Sequence, residues 1–351
     1  MAVGFPLKTT YANGDVYSAS DVNDTNGTIN LLTSSTLSVA AGKNPIINGG
    51  FDVWQRGTSL SFPASTYGYT ADRWATSTNA SQACTISRQL TNDTTNLPNI
   101  QYCVRLQRNS GQTGTGTLFY IQAIETVNSI PFAGKTVTFS FYARRGANYS
   151  ATSNILAVGV GTGTGTDQTP FTGWTNAASP ISQNATLTTT WQRFTYSATL
   201  ASNITQIKPF FTFDPTGTAG ANDYFEVTGI QLELGSVATS FSRTGGTIQG
   251  ELAACQRYFE FIGGKASGYP IIGGYATAGI SAYFPIAFKA SKRISPTVTK
   301  VGTWAVGNTG QPSPNFIGVD GFSSLQTATA SGAFFTHPDS TDDGFNCDAE
   351  L

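Results

Sequence analysis

Short runs of alternating apolar and polar residues, separated by turn residues, occupy most of residues 45–245. In one such run, Val137, Phe139 and Phe141 alternate with polar side chains. Because successive side chains of a strand point to opposite faces, this period indicates strands with one buried face. A succession of such strands predicts an all-β chain whose residues 45–245 form a jelly roll or β-sandwich. A slip in the apolar phase at Gly229 predicts a β-bulge there.

Residues 1–44 differ from this pattern and contain a helix signal after Ser20. Val22, Ile29 and Leu32 stand at spacings of seven and three, the stripe of a short self-associating helix. Such a stripe is too narrow and short to hold a helix by itself, so the helix is expected to pack on copies of itself or on a neighbour. Residues 1–44 are therefore predicted to be a short N-terminal helical attachment segment, with these three residues as its oligomerisation and attachment site.

A second helix is predicted to begin near Thr247. Ile248, Leu252 and Cys255 follow helical spacing there, which gives the helix one apolar face. Strand-like runs separated by glycine pairs come after it. Residues 246–351 are therefore predicted to form a second, smaller C-terminal β domain.

Charged residues make up only 11% of the chain, whereas about 25% is usual for a soluble protein. A surface so poor in charge is easier to explain if much of it is buried against other subunits, which favours an oligomer or an assembly component. The net charge is −1 and there is no run of Lys or Arg, so nucleic acid is not an expected partner. No apolar stretch approaches the roughly 20 residues of a membrane span, and the N-terminus lacks a signal-peptide pattern, so no membrane insertion is expected.

The residue types that enzymes rely on are sparse. The single histidine, His337, stands in a turn-like sequence that predicts a surface loop, whereas nucleophile relays and most zinc sites need a well-placed histidine. The four cysteines are scattered without CxxC spacing, which predicts reduced, mostly buried thiols made in a cytosol. Hydrolysis by paired carboxylates needs no histidine, but no acidic pair is marked by a motif. The chain is therefore predicted not to be an enzyme, with a polysaccharide depolymerase as an alternative.

Several short sequence motifs along the chain are distinctive when they are taken together in their order. They are NPIINGGFDVWQRG (44–57), YTADRW (69–74), FSFYAR (139–144), WQRF (191–194), GIQLELG (229–235) and CQRY (255–258). Together they resemble a family of bacteriophage tail-fibre and related virion proteins, whose central domain is a jelly roll similar to carbohydrate-binding modules. The segment from Gly14 to Asn23 also looks like the N-terminal attachment segment of such fibres. The resemblance covers most of the chain and is weakest toward its end.

The tryptophans divide into two groups. Trp54, Trp74 and Trp191 stand in or beside predicted strands and are large enough to span a sandwich core, so they are predicted to be core residues. Trp174 lies in a loop among turn residues, where an aromatic side chain can be exposed and hold a sugar face or a protein partner. Trp174 is therefore the candidate ligand-binding residue, with an anchor for its own loop as the alternative.

The charged residues of the sequence motifs listed above are interpreted as structural. Arg56 and the Asp72-Arg73 pair are predicted to form an internal ion pair or to clamp a loop. The resemblance also implies a structural calcium ion, held in many such jelly rolls by an acidic residue after the Asn-Gly-Phe phrase and by carboxylates on the last strand. Asp52 fits the first position and is the candidate metal ligand. The last strand lacks paired acids at the usual position, so no cofactor is predicted and calcium is the alternative.

The resemblance implies a homotrimeric virion protein of the tail-fibre type. Its N-terminal segment would bind other virion proteins, the jelly roll would form the stem or adhesive body, and the distal domain would reach a host-surface glycan or protein. A head-fibre or capsid decoration protein that stabilises the particle is the alternative, and a cellular glycan-binding module is a third interpretation. The expected location is the virion, after synthesis in the host cytoplasm.

The full-length protein is predicted to show about three times the monomer mass in light scattering. A helical seam is usually satisfied by closed cyclic symmetry, and the resemblance to fibre proteins implies that this symmetry is three-fold. Changing Val22→Asp together with Ile29→Asp should weaken the N-terminal association, since each new charge would have to be desolvated in an apolar seam. A wild-type protein that remains a monomer at micromolar concentration, with intact β structure by circular dichroism, would contradict this prediction.

Overall fold

Antiparallel β-strands make up most of the described chain, as the alternation of the sequence predicts. The structure is a computed structural model, and its regular elements are strands apart from a few short helical segments. The predicted all-β fold class is therefore confirmed. The described residues are 44–79, 82–97, 99–264 and 272–351.

The chain divides into two compact units, Met1–Lys43 and Asn44–Leu351. Both predicted β parts, residues 45–245 and residues 246–351, lie within the second unit. Contacts between these two parts are therefore contacts inside one compact body. The predicted oligomerisation and attachment residues lie outside the described part of the chain; they are Val22, Ile29 and Leu32.

In the first part of the second unit, up to residue 245, the described residues form twelve strands. They also form a short helical turn, α1 (Thr126–Ser129), which a 3-10 turn continues, Ile130–Phe132. The strands are β1 (Ser59–Phe62), β2 (Tyr67–Tyr69), β3 (Ala75–Thr78), β4 (Cys84–Leu90), β5 (Tyr102–Arg108), β6 (Leu118–Ile121), β7 (Thr136–Arg145), β8 (Ile155–Gly163), β9 (Ala178–Thr186), β10 (Gln192–Thr199), β11 (Gln206–Phe213) and β12 (Tyr224–Leu234). One sheet has the order β1-β4-β5-β12-β7-β10 and the other β2-β3-β6-β11-β8-β9. Because the chain crosses repeatedly between the two sheets, this part is the predicted sandwich of jelly-roll type.

The main core lies between these two sheets and is rich in aromatic side chains. Trp74 stacks on Tyr120 with ring centroids 5.2 Å apart, and Phe141 meets Phe211 edge to face at 5.1 Å. Each ring removes a large apolar area from water, so a few rings fill the space between the sheets. The tryptophans that were predicted to lie in the core are all buried, namely Trp54, Trp74 and Trp191.

The predicted β-bulge is present in β12. Its pairing with β7 shifts between Thr228 and Gln231, and Gly229 has a left-handed backbone with φ of 59°. Beyond the bulge, the Ile230 N–H donates to the carbonyl oxygen of Gly49 at 3.0 Å. The bulge therefore fixes the chain around Gly49 against the edge of the sandwich.

The distal part of the unit contains the helix α2 (Ile248–Gln256) and nine described strands in three small sheets. The strands are β13 (Phe259–Gly263), β14 (Ile272–Ala276), β15 (Ser281–Ala287), β16 (Thr297–Val301), β17 (Ala305–Gly307), β18 (Ser313–Asn315), β19 (Gly321–Thr327), β20 (Gly332–His337) and β21 (Gly344–Asp348). The sheet orders are β13-β21-β16, β14-β20-β17 and β15-β19-β18. The last two sheets meet through Phe284 and Phe334, whose ring centroids are 6.0 Å apart. None of the described helices has the length and hydropathy that a membrane span requires.

The helix α2 begins where the sequence predicts, but it buries a different face. Thr247 is its N-cap, and its hydroxyl accepts the Gly250 N–H at 3.1 Å. Ile248 and Leu252 are 45% and 37% exposed, whereas Glu251 is buried. The Glu251 carboxylate accepts backbone N–H groups from the jelly-roll side, and satisfying these buried donors decides which face turns inward.

The surface-loop position predicted for His337 is wrong. This residue ends β20 and is half-buried. Its Nδ1 lies 2.9 Å from the Pro338 carbonyl oxygen, which can only accept, so Nδ1 carries the proton. The turn signal in the sequence belongs to the residues that follow the strand.

All four cysteines are free in this structure, and all are buried, which confirms their predicted burial. Burial raises the pKa of Cys84 and of Cys347 to about 12, because a thiolate would lose its hydration there. These thiols therefore stay protonated at neutral pH and contribute to packing.

Replacing Gly49 by Ala is expected to destabilise the protein. A Cβ at this position would lie 2.3 Å from the Ile230 carbonyl oxygen, so the anchored segment would have to move away from the bulge. Overpacking of this kind costs about 2 kcal/mol of unfolding free energy, measurable by urea denaturation followed by tryptophan fluorescence.

Gly173→Ala is the matched control, because no atom lies within 4 Å of a Cβ added there. This control should remain within about 0.5 kcal/mol of the wild type. Equal stability of the two variants would show that the contact between the Gly49 segment and the bulge contributes nothing.

Candidate functional site

A cleft of about 1040 Å3 opens between the jelly roll and the sheet β13-β21-β16. Its wall on the jelly-roll side comes from the residues before β1, from β1 itself and from the end of β2. Its floor is one face of the sheet β13-β21-β16. Side chains that define its chemistry include Arg56, Tyr69, Phe261, Thr299, Asn346 and Asp348.

Two rows of side chains cross the floor of the cleft. Strand pairing sets Phe261, Asn346 and Thr299 side by side in the first row. Phe345, one position away on β21, faces the opposite way into the distal core. The second row consists of Phe259, Asp348 and Thr297. Each row therefore presents an aromatic ring, a side chain with a C=O oxygen and a hydroxyl toward the cleft.

Arg56 connects the wall of the cleft to its floor. Its guanidinium carbon lies 3.5 Å from the centre of the Phe259 ring, a cation–π contact. Its Nη2 lies 3.3 Å from a carboxylate oxygen of Asp348 and 3.3 Å from one of Glu350. Its Nη1 is buried and makes no hydrogen bond to the described residues. An oxygen of a ligand or of water would satisfy this donor.

Arg73 holds the same region from inside the protein. The guanidinium is almost completely buried, forms an ion pair with Glu350 and donates to the Ala123 carbonyl oxygen at 2.6 Å. It also lies 3.6 Å from the centre of the Tyr258 ring. Because a buried charge without a partner is very unfavourable, this pair ties Glu350 firmly to the jelly roll.

The predicted ion pairing of Arg56 and of Asp72-Arg73 is therefore present, but with different partners. Both arginines reach Glu350, while Asp72 accepts hydrogen bonds from the Gln55 backbone N–H at 2.7 Å and from its side chain at 2.6 Å. Burial raises the pKa of Asp72, against the lowering effect of Arg56 and of these hydrogen bonds. The side chains of Arg56, Arg73 and Glu350 form one clamp.

Tyr69 closes one end of the cleft. Its hydroxyl donates to the Leu351 carbonyl oxygen at 2.9 Å. Burial raises the pKa of Tyr69 above its ordinary value, and the nearby Glu350 carboxylate raises it further. The phenol therefore stays protonated and acts as a donor at every physiological pH.

The structure does not place Trp174 in an exposed position, which corrects the expectation of a ligand-binding residue there. The side chain is only 5% exposed, and its Nε1–H donates to the Thr169 carbonyl oxygen at 3.0 Å. Lys208 Nζ lies 4.5 Å from the ring centre. The ring therefore anchors its own loop and offers no open face for a sugar.

Asp52, the candidate metal ligand, belongs to an ion pair. Its two carboxylate oxygens accept hydrogen bonds from Arg243, at 2.7 Å from Nε and at 3.1 Å from Nη2. A guanidinium thus stands where a cation would bind. The described residues contain no group of three or more acidic, His or Cys side chains arranged to hold a metal ion.

The lining of the cleft contains groups for stacking, for hydrogen bonding and for ion pairing. It combines aromatic rings, hydroxyls, the amides of Gln55 and Asn346, the Arg56 guanidinium and the carboxylates of Asp342, Asp348 and Glu350, and includes neither His nor Cys. Sequence analysis missed this site, although the alternation around Thr297 and Thr299 was visible. The signal lies in the register of β16 against β21, which only the folded chain establishes.

No protein-family model matches the chain, and no curated protein matches its sequence. Among solved structures, the enzymatically active domain of tailspike protein 4 of bacteriophage CBA120 has a TM-score of 0.32 and 11% identity, over 55% of this chain and 21% of that one. A family 4 carbohydrate-binding module has a TM-score of 0.30 and 17% identity, over 54% and 98% of the two chains. A family 61 module in complex with β-1,4-galactotriose has a TM-score of 0.30 and 13% identity, over 54% and 97%. TM-scores at this level carry no information about function.

Changing Glu350→Gln is expected to lower the free energy of unfolding by about 3 kcal/mol, because the buried Arg73 would lose its counter-charge. Asp342→Asn is the matched control, since this acid also lines the cleft but is exposed. Urea denaturation of both variants tests the prediction. If Glu350→Gln unfolds at the wild-type urea concentration, the clamp is not what holds the distal sheet.

Proposed function

We propose that this chain is a virion structural protein of the tail-fibre type that binds a host-surface glycan in the cleft without cleaving it. The observation that carries the proposal is the cleft floor, where aromatic rings, hydroxyls and an amide share one open sheet face.

Glycans have apolar C–H faces and a rim of hydroxyl groups, so a binding site needs rings for the faces and polar groups for the rim. Phe261 supplies a half-buried ring, and Asn346 and Thr299 stand beside it in the same row. Thr297 continues the hydroxyl line on β16.

Binding without hydrolysis is supported by the pairing of the cleft carboxylates. Asp348 and Glu350 are both bonded to Arg56, which leaves Asp342 as the lining carboxylate without a guanidinium partner. Glycoside hydrolysis by two carboxylates needs both of them free to face the scissile bond. A cleft with one such acid can hold a glycan but lacks the second group for catalysis.

Placement in a virion is supported by the sequence resemblance and by the low charge of the chain, 11% of its residues. A subunit of an assembly buries surface against its neighbours, where unpaired charges would be unfavourable. The position of the chain in an electron-microscopy map of the particle tests this part of the proposal, since a map without the chain in a fibre would contradict it.

Changing Phe261→Ala should weaken glycan binding about tenfold, because the loss of one stacking ring removes about 1.4 kcal/mol. The measurement is a glycan array on the wild type, followed by calorimetric titration of the best-bound oligosaccharide. Phe316→Ala is the matched control, since this phenylalanine is 71% exposed on the distal sheets and does not line the cleft.

Equal affinity of Phe261→Ala and wild type would rule out the cleft as the binding site. Release of reducing ends by the wild-type protein, abolished in Asp342→Asn, would instead show that the cleft is catalytic.

A further inference from the structure

A second aromatic surface lies on the outer face of the sheet β14-β20-β17. Within β20, Phe334 is buried and packs on Phe284 of the opposite sheet. Side chains alternate along a strand, so Phe335 points outward, and it is 48% exposed. This outer face is turned away from the distal core.

The Phe335 ring lies across a neighbouring glycine. Strand pairing sets Gly307 opposite Phe335 on β17 and Gly273 opposite it on β14. A Cβ built on Gly307 would lie 2.3 Å from Cε1 and 2.8 Å from Cδ1 of the ring. The ring therefore occupies the space over Gly307 and rests on the sheet, with its outer surface toward solvent.

His337 extends this surface along the strand. Its ring is nearly parallel to that of Phe335, with an angle of 13° between the planes and 5.9 Å between the centroids. The hydrogen bond from Nδ1 to Pro338 fixes the imidazole and leaves Nε2 as a polar atom at the rim. Tyr275, which is 83% exposed, stands on the same face two positions from Gly273.

The face is also free of charge. The six described strands of the sheets β14-β20-β17 and β15-β19-β18 contain no Asp, Glu, Lys or Arg. An exposed apolar surface of this kind marks an interaction site. Because the rings are flat, parallel and rimmed by polar atoms, they match the apolar faces of successive sugars better than the irregular side chains of a protein.

We infer that Tyr275, Phe335 and His337 form a stacking platform for a neutral glycan chain. Two adjacent pyranose rings would lie on the Phe335 and His337 rings, whose spacing is comparable to that of neighbouring sugars in a chain. Hydroxyl groups at the rim would meet Nε2 of His337 and the Tyr275 phenol. The inference shares its ligand class with the proposed function and adds a second site, separate from the cleft.

His337 is the single histidine of the chain, so the NMR signals of its imidazole report on this site alone. In untagged full-length protein labelled with 13C-histidine, all imidazole signals come from His337, and its Cε1–Hε1 resonance is followed. Titration with maltohexaose, cellohexaose, laminarihexaose and mannohexaose should shift this resonance saturably for at least one of them. Phe261→Ala, in the cleft, should leave the shift unchanged, so failure of the cleft and failure of the platform are distinguishable.

Phe335→Ala should weaken the binding that the histidine signal reports by about tenfold, through the loss of one stacked ring. Gly307→Ala should weaken it as well, because the new Cβ displaces the ring from the sheet while every platform side chain remains. Phe316→Ala is the control for lost exposed apolar area, and it should bind like the wild type.

Three results would overturn the inference. The histidine resonance could stay unmoved by all four hexaoses, or Phe335→Ala could bind as tightly as the wild type. In the third, light scattering would show a smaller assembly for Phe335→Ala with no effect of sugar on the histidine signal. That result would make the face a contact between copies of this chain.

Discussion

The ion pairs of Arg56 and Arg73 with Glu350 hold the distal sheets against the jelly roll, and the cleft depends on them. They act together with an apolar cluster that packs Ile47 and Val53 against Cys255 and Tyr258. Two further pairs strengthen the same seam, Arg257 with Glu125 at 2.9 Å and Arg293 with Asp167 at 3.2 Å. Charged pairs of this type need good geometry to be worth their desolvation, and they therefore fix orientation as well as contact.

These ion pairs show where many of the few charged residues of the chain lie. Many of its few ionised groups are paired in the protein interior, as in the fully buried pairs of Arg108 with Asp223 and of Lys292 with Glu260. The described strands of the sheets β14-β20-β17 and β15-β19-β18 carry no charged side chain. A surface of this composition favours uncharged ligands, because there is little electrostatic attraction to recruit an ionic one. The platform fits that preference, whereas the cleft is lined in part by charged side chains that pair with one another.

Local patterns predicted much of the fold because their physical cause is local. The alternation of side chains identified the strands, and a phase slip located the bulge at Gly229, since both depend only on neighbours in sequence. The predicted start of the helix near Thr247 was also correct, because the Thr247 hydroxyl that caps it accepts an N–H only three residues away. The exposure expected for Trp174 and the loop position expected for His337 were wrong. His337 is ordered by the pairing of β20 with distant strands, whereas Trp174 is buried as the anchor of its own loop, which was the alternative interpretation.

The sequence by itself determined that this chain forms strands, where they bend and which tryptophans fill the core. Only the tertiary structure decided the partners of the charged side chains and the residues that share the cleft. Arg73 and Glu350 are separated by 277 positions, and no periodic signal connects two such residues. Their meeting depends on strand register and on how two sheets pack. Both are set by long-range burial, because charges and polar groups removed from water must find partners wherever the fold brings them.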